Sequence, residues 1–158
     1  MKPVYKFTNQ RELNKKEFLN YVERKVFRTI RKFNLLPKNK RITIKKDNTL
    51  NTAVLKQILE TKFEVKFSTK PNVSSDNLSE AAEDIFKKVL QGDFTPNKKV
   101  NAPLYYLSDK EIELYARLAG IKGSKRKQDI KIQKLFSKFL GKNQDLELNI
   151  VKASGQVC

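Results

Sequence analysis

Apolar residues along this chain follow two different periods, and the places where the period changes mark the elements. Arg41-Ile42-Thr43-Ile44 alternates β-branched and polar residues at period two, which predicts a short strand. Asp47 to Asn51 is turn chemistry, after which Ala53, Val54, Leu55, Ile58 and Leu59 repeat at helical spacing. Phe63 to Ser68 alternates again and reads as a second strand over Glu64–Phe67. Strand, helix Thr52–Glu60 and strand together predict neighbouring parallel strands with a right-handed crossover.

Helical periodicity dominates on both sides of this unit. Residues 1–9 read as an ordered tail or a short strand. Asn14 and Glu17 have capping-box spacing, and a helix follows from about Lys15 to Phe33. Phe18, Val22, Val26, Ile30 and Phe33 form its apolar stripe; Arg24, Arg28 and Arg31 share another face, flanked by Lys25 and Lys32. Asn34 to Pro37 ends it. Asn77 to Leu90 predicts a second long helix, with Ala82, Ile85, Phe86, Val89 and Leu90 inward and Gly92 as its stop. A polar loop over Phe94–Pro103 and a short apolar segment, Leu104–Leu107, lead to another capping box, Ser108 with Glu111. The helix it opens turns Ile112, Tyr115, Ala116 and Ala119 to the core and closes at Gly120. Gly123 to Lys127 is a basic turn. Asp129 starts a helix to Leu140 with Ile132, Leu135, Phe136 and Phe139 buried, Lys131, Lys134 and Lys138 outward, and Gly141 as its end. Leu146 to Val157 predicts a last short helix.

Charge adds what periodicity cannot. The net charge is +17, and it is unevenly placed: +12 over residues 1–46, −1 over 47–121, +7 over 122–142 and −1 over 143–158. Two concentrated basic blocks around a neutral middle point to a polyanion partner, nucleic acid before acidic membrane. Arginine in a lysine-biased chain strengthens the case for phosphate at Arg24, Arg28 and Arg31, because the guanidinium fork matches phosphate oxygens. The candidate RNA contacts are these three with Lys25 and Lys32, and Lys122, Lys125, Arg126, Lys127, Lys131, Lys134 and Lys138 in the second block. There is no histidine, and Cys158 is the sole cysteine. Imidazole catalysis, His-ligated metals, an internal disulfide and a cysteine metal cluster are thereby excluded. No apolar run reaches membrane-span length and no signal-peptide core is visible, so a cytoplasmic protein without a membrane partner is expected.

The strand-to-helix junction is where α/β proteins bind phosphate, because free N–H groups at a helix N-terminus face an anion. This junction has no glycine to let the backbone approach a pyrophosphate, and no lysine between Asp47 and Thr52. The acidic run Asp76, Ser79, Glu80, Glu83 and Asp84 reads either as complement to a helix dipole or as the remnant edge of a metal or substrate pocket.

Three stretches carry a resemblance to a known family. Tyr21 to Leu36 looks like the basic helix preceding the first strand of the PP-loop ATPase superfamily, specifically its tRNA 2-thiolation and related tRNA-modifying adenylating enzymes. Asn77 to Asp93 resembles the family's GHNLDDEAQT…N…RGD helix. Pro103 to Ile121, PLYYLSDKEIELYARLAGI, resembles its PLRYIPEKEVALYALLKGI segment and is the most specific of the three. The departures are equally plain. The SGGKDS loop falls on Asp47 to Thr52, where only Thr52 keeps the chemical type. The glycine and histidine of GHNLDD fall on Ser75 and Asp76, and the paired aspartates on Ser79 and Glu80. The family's zinc-binding and sulfur-handling cysteines have no counterpart, and a chain of roughly half the family's usual length is expected to leave little room for the middle strands and helices of the sheet.

The resemblance implies a small parallel-sheet, Rossmann-like α/β core of the adenine nucleotide alpha-hydrolase-like kind. The expected segments are a basic N-terminal helical part (1–40), the core (41–121) and a basic C-terminal helical extension (122–158). It implies a vestigial nucleotide site at Asp47, Asn48, Thr49, Asn51, Thr52, Asn77 and Glu80. The function expected first is non-catalytic RNA binding, with tRNA as partner, no cofactor and no metal. Two alternatives stand beside it. One is a minimal tRNA-thiolating or adenylating enzyme using ATP and magnesium. The other is a structural subunit of a catalytic PP-loop homologue, with a second copy of the chain as a further possible partner.

Overall fold

A computed structural model of the chain describes residues 2–7, 9–93, 100–140 and 145–156. The central unit is as the periodicity predicts. Strand β3 (Arg41–Ile44) pairs in parallel with β4 (Glu64–Phe67), Ile42 opposite Val65, and helix α2 (Leu50–Glu60) connects them. Thr49 caps α2 by accepting the Thr52 N–H, so the helix starts two residues before the expected Thr52. Ile42 and Ile44 are buried on one face of β3, while β4 is largely solvent-exposed, Phe67 included. The free edge of β3 is covered by irregular chain: the Asn72 and Val73 N–H groups donate to the Thr43 carbonyl, and Asn72 Oδ1 accepts from the Thr43 N–H at 2.9 Å.

Before this unit comes an antiparallel hairpin: the short strand allowed for within residues 1–9 is β1 (Tyr5–Lys6), and its partner β2 (Glu12–Leu13) was not expected. It leads into α1 (Lys15–Lys32), opened by the Asn14–Glu17 capping box. Phe18, Val22, Val26 and Ile30 are buried as expected, and Phe33 is the C-cap, half-buried. The chain leaves α1 through a left-handed Asn34, and the Leu35 N–H reaches back to the Ile30 carbonyl. Helices α3 (Leu78–Leu90), α4 (Asp109–Ala119), α5 (Ile130–Leu140) and α6 (Leu146–Gln156) follow.

Two apolar clusters hold these elements. The larger joins Leu13, the α1 stripe, β3, α2 and Ile112, Leu114, Tyr115 and Ala116 of α4. The smaller joins Leu78, Ala82 and Ile85 of α3, Ile132 and Phe136 of α5 and Val151 of α6. Three inward assignments are corrected here. Val89 and Leu90 are exposed because the last turn of α3 lies outside the smaller cluster, and Leu135 is exposed on the opposite side of α5 from Ile132 and Phe136. The expected loop over Phe94–Pro103 falls partly, and Gly141, Lys142, Val157 and Cys158 fall wholly, outside the described residues, as does the Phe139 side chain. Among the described residues no helix is long and apolar enough to cross a membrane.

Candidate nucleic-acid interface

Helix α1 builds its basic face by elimination. The core takes Phe18, Val22, Val26, Thr29 and Ile30, so the helical repeat turns Arg24, Arg28 and Arg31 to the opposite side, where all three are exposed. Among the described residues none of these guanidinium groups has an ion-pair partner. The flanking lysines behave differently. Lys25 is half-buried, donates to the Tyr21 hydroxyl at 2.8 Å and lies 3.8 Å from Glu111; the Tyr21 hydroxyl donates to that carboxylate at 2.9 Å. Burial, and then the Glu111 charge, push the Tyr21 phenol far above its ordinary range. Lys32 donates to the Tyr106 hydroxyl at 2.8 Å and sits over the Tyr106 and Phe33 rings.

The second basic block is divided. Lys122, Lys127, Lys131, Lys134 and Lys138 are exposed, and Lys125 is exposed beside Glu113 at 3.7 Å. Arg126 corrects the sequence expectation: it is 8% exposed and is the centre of a buried network. Its Nε and Nη2 donate to the two Asp109 oxygens at 2.7 Å each, and Nη2 also contacts Glu83. Glu83 further accepts the Asp129 N–H and the Gln133 amide; Asp109 accepts from Asn77 and Gln128. Ser79 links this group to α6 by donating to Glu147 at 2.6 Å. Burial works against the Arg126 charge, but hydrogen bonds to Asp109 and Glu83 more than offset it and hold the guanidinium protonated. A cation closed off by two carboxylates is not available to a phosphate, so Arg126 leaves the list of RNA contacts. Lys25 and Lys125 line one cavity of about 750 Å³, but Asp109, Glu111, Glu113, Asp145 and Glu147 line it too, so it is not a continuous positive surface.

The residues expected at the nucleotide junction are gathered in one place. Asp47 accepts from the Thr49 N–H and hydroxyl; burial raises its pKa, but the Thr49 and Thr52 hydrogen bonds win and hold the carboxyl below its ordinary value. Asn51, buried at the start of α2, donates to Glu80 at 3.1 Å, and Asn77 caps α3 by accepting the Glu80 N–H. Burial, then the nearby Asp76 carboxyl, push Glu80 up to about 8. Across the mouth of this junction lies the basic turn. The Leu50 N–H donates to the Ser124 carbonyl and the Ser124 N–H to the Asn48 carbonyl, both at 2.8 Å. A Cβ on Gly123 would stand 3.1 Å from the Leu50 nitrogen and 3.2 Å from the Asn48 oxygen, so the backbones touch. At this helix N-terminus the Leu50 N–H is already bonded to the Ser124 carbonyl and the Thr52 N–H to the Thr49 hydroxyl.

Sequence reading misassigned Arg126 and missed Arg11 and Phe7. Arg126 looked like one more surface cation, and the carboxylates that enclose it come from other helices. Arg11 and Phe7, on the hairpin, stand beside the α1 arginines; the signal was a basic residue between two period-two pairs, too short to read as strands.

No family model and no curated protein matches the sequence. In structure the chain is similar to the U34-tRNA thiolase NcsA from Methanococcus maripaludis, solved with its 4Fe–4S cluster. The TM-score is 0.77 at 13% identity, over 98% of this chain and 84% of that one. The chain therefore has that α/β fold, of the adenine nucleotide alpha-hydrolase-like kind.

Proposed function

We propose that the chain is a non-catalytic RNA-binding protein whose ligand is tRNA. The observation that carries this is the exposed, unpaired row of Arg24, Arg28 and Arg31 on α1. Guanidinium groups on one helix face suit a phosphate backbone, and their association with RNA releases counterions. The likeness to a tRNA thiolase supports tRNA as the class of RNA, and a net charge of +17 supports a polyanion.

The non-catalytic part rests on chemistry at the junction and on composition. The α2 N-terminus is already bonded to Ser124, and the sequence has one cysteine, too few to hold an iron–sulfur cluster from these residues alone. ATP with magnesium should accordingly bind weakly; calorimetry giving a micromolar dissociation constant at this chain would overturn the non-catalytic reading in favour of an ATP-using enzyme.

The RNA reading is tested by titrating labelled tRNA across a salt series. Replacing Arg24, Arg28 and Arg31 together by alanine should flatten the log–log salt slope by about 2–3. A Lys70/Lys87 double alanine variant, exposed outside both blocks, is the control and should change it less. Equal losses would mean diffuse attraction to net charge, and absence of binding near physiological salt would remove the function.

A further inference from the structure

The β1–β2 hairpin and α1 enclose a groove of about 400 Å³, which core residue Leu13 also lines. Arg11 from the hairpin and Arg24 and Arg28 from α1 line it, with Phe7 and Tyr21 as its aromatic wall. All three arginines are exposed, whereas both rings are half-buried. One carboxylate, Glu17, also borders the groove, and it is tied to the Asn14 N–H at 3.0 Å. The concavity is therefore strongly positive and partly aromatic.

Its walls are held from behind. The Phe7 N–H donates to the Arg11 carbonyl and the Val4 N–H to the Leu13 carbonyl, each at 2.8 Å, while Leu13 is buried in the main core. Phe7 meets Tyr21 edge-to-face at 5.1 Å and Tyr5 at 5.2 Å; Tyr5 in turn packs on buried Phe18 at 5.0 Å. The Tyr21 hydroxyl is fixed on Glu111. The preset rings lose little entropy on binding, whereas the three exposed arginine side chains must be ordered by the ligand.

A duplex presents phosphates on a convex surface with its bases stacked inside, and cannot enter such a groove. An unpaired nucleotide can: its base finds an aromatic wall and its phosphate the arginine rim, the pairing of contacts by which single-stranded RNA is held. Building on the RNA reading, we infer that this groove is a subsite for an unpaired nucleotide, with the base against Phe7 and the phosphate on Arg11, Arg24 and Arg28.

The test uses the full chain and two fluorescent probes, a non-self-complementary eight-nucleotide RNA strand and a blunt RNA duplex of the same length. The single strand should bind at least about fivefold more tightly than the duplex, and Phe7→Leu should weaken it by about fivefold or more without changing its salt slope. Arg11→Gln, at an exposed position that leaves the hairpin packing alone, should lower the salt slope by about one. Arg31→Gln lies outside the groove and should leave the single-strand preference intact. A strand carrying one photoreactive base should crosslink to peptides from the hairpin and the first turns of α1, a readout that needs no variant. Equal affinity for both probes, with crosslinks in the 122–138 block, overturns the subsite. If tRNA still responds to the α1 arginines in that case, only the subsite fails; if tRNA does not bind at all, the RNA reading falls with it.

Discussion

Helix α1 and the segment after Gly120 look alike as strings of basic residues, yet the fold treats them in opposite ways. On α1 the apolar stripe is used up by the core, and helical geometry leaves Arg24, Arg28 and Arg31 no direction but outward. After Gly120 the chain is not helical until Ile130, so no repeat dictates direction, and Arg126 turns inward to Glu83 and Asp109. What separates an outward-facing cation from an internal one is the presence of acids on other elements. Glu83 is 5% exposed on α3, at a helix position that charge patterning alone would assign to solvent.

This contrast can be broken most directly through stability. Arg126→Met should destabilise the protein by about 3 kcal/mol, since it leaves the buried Glu83 and the half-buried Asp109 carboxylates with their cation gone. Arg24→Met should stay within about 0.5 kcal/mol. Urea unfolding measures both, and equal effects would erase the distinction between the regions. The next effect is on RNA. Alanine at Lys122, Lys127 and Lys131 should flatten the tRNA salt slope about as much as the α1 triple variant if the two blocks face one RNA. An unchanged slope would confine the RNA to α1.

The docking of the basic turn offers a sharper, smaller probe. Gly123→Ala pushes a methyl group against the Asn48–Leu50 backbone and should cost about 1–3 kcal/mol. A neutral result would mean that the turn is not seated on the α2 N-terminus. The smallest effect concerns pH. Glu80 in the folded chain keeps its proton up to about 8, against an ordinary value of 4.5. Folding therefore takes up a proton between those values, so this contribution is complete below about pH 4.5 and is lost as pH rises through 8. Glu80→Gln cannot ionise and should show a shallower fall in Tm between pH 5 and 8.5 than the parent; identical slopes would place the titration elsewhere.

The elements that could be read in advance are those whose information is local. β3, α2 and β4 follow from period changes within about 27 residues, and the capping boxes at Asn14 and Ser108 both form as spaced. The N-terminal hairpin gave too little pattern, with two residues per strand and a turn that places Gln10, not glycine, at φ 71°. The candidate nucleotide residues do converge, Asn51 on Glu80 above all, because the two helices that carry them were legible. That Ser124 closes over them was not, since a backbone pairing between Thr49 and Ser124, 75 positions apart, leaves no periodic trace. Arg126 failed for the same reason, as its meaning depends on partners 43 and 17 residues away.

The pairing of Ser124 with Asn48 and Leu50 also bears on how the chain reaches its fold during synthesis. The Leu50 N–H has its partner only once residue 124 is made. Glu83 and Asp109 wait for Arg126, and Ser79 waits for Glu147. The β3–α2–β4 unit can therefore collapse early but cannot complete its polar pairing until Ser124 has left the ribosome. Contacts of such sequence separation slow folding, because loop-closure entropy comes before their reward. Nascent chains stalled before residue 122 should remain open to proteolysis around α2, and protection should arrive in one late step.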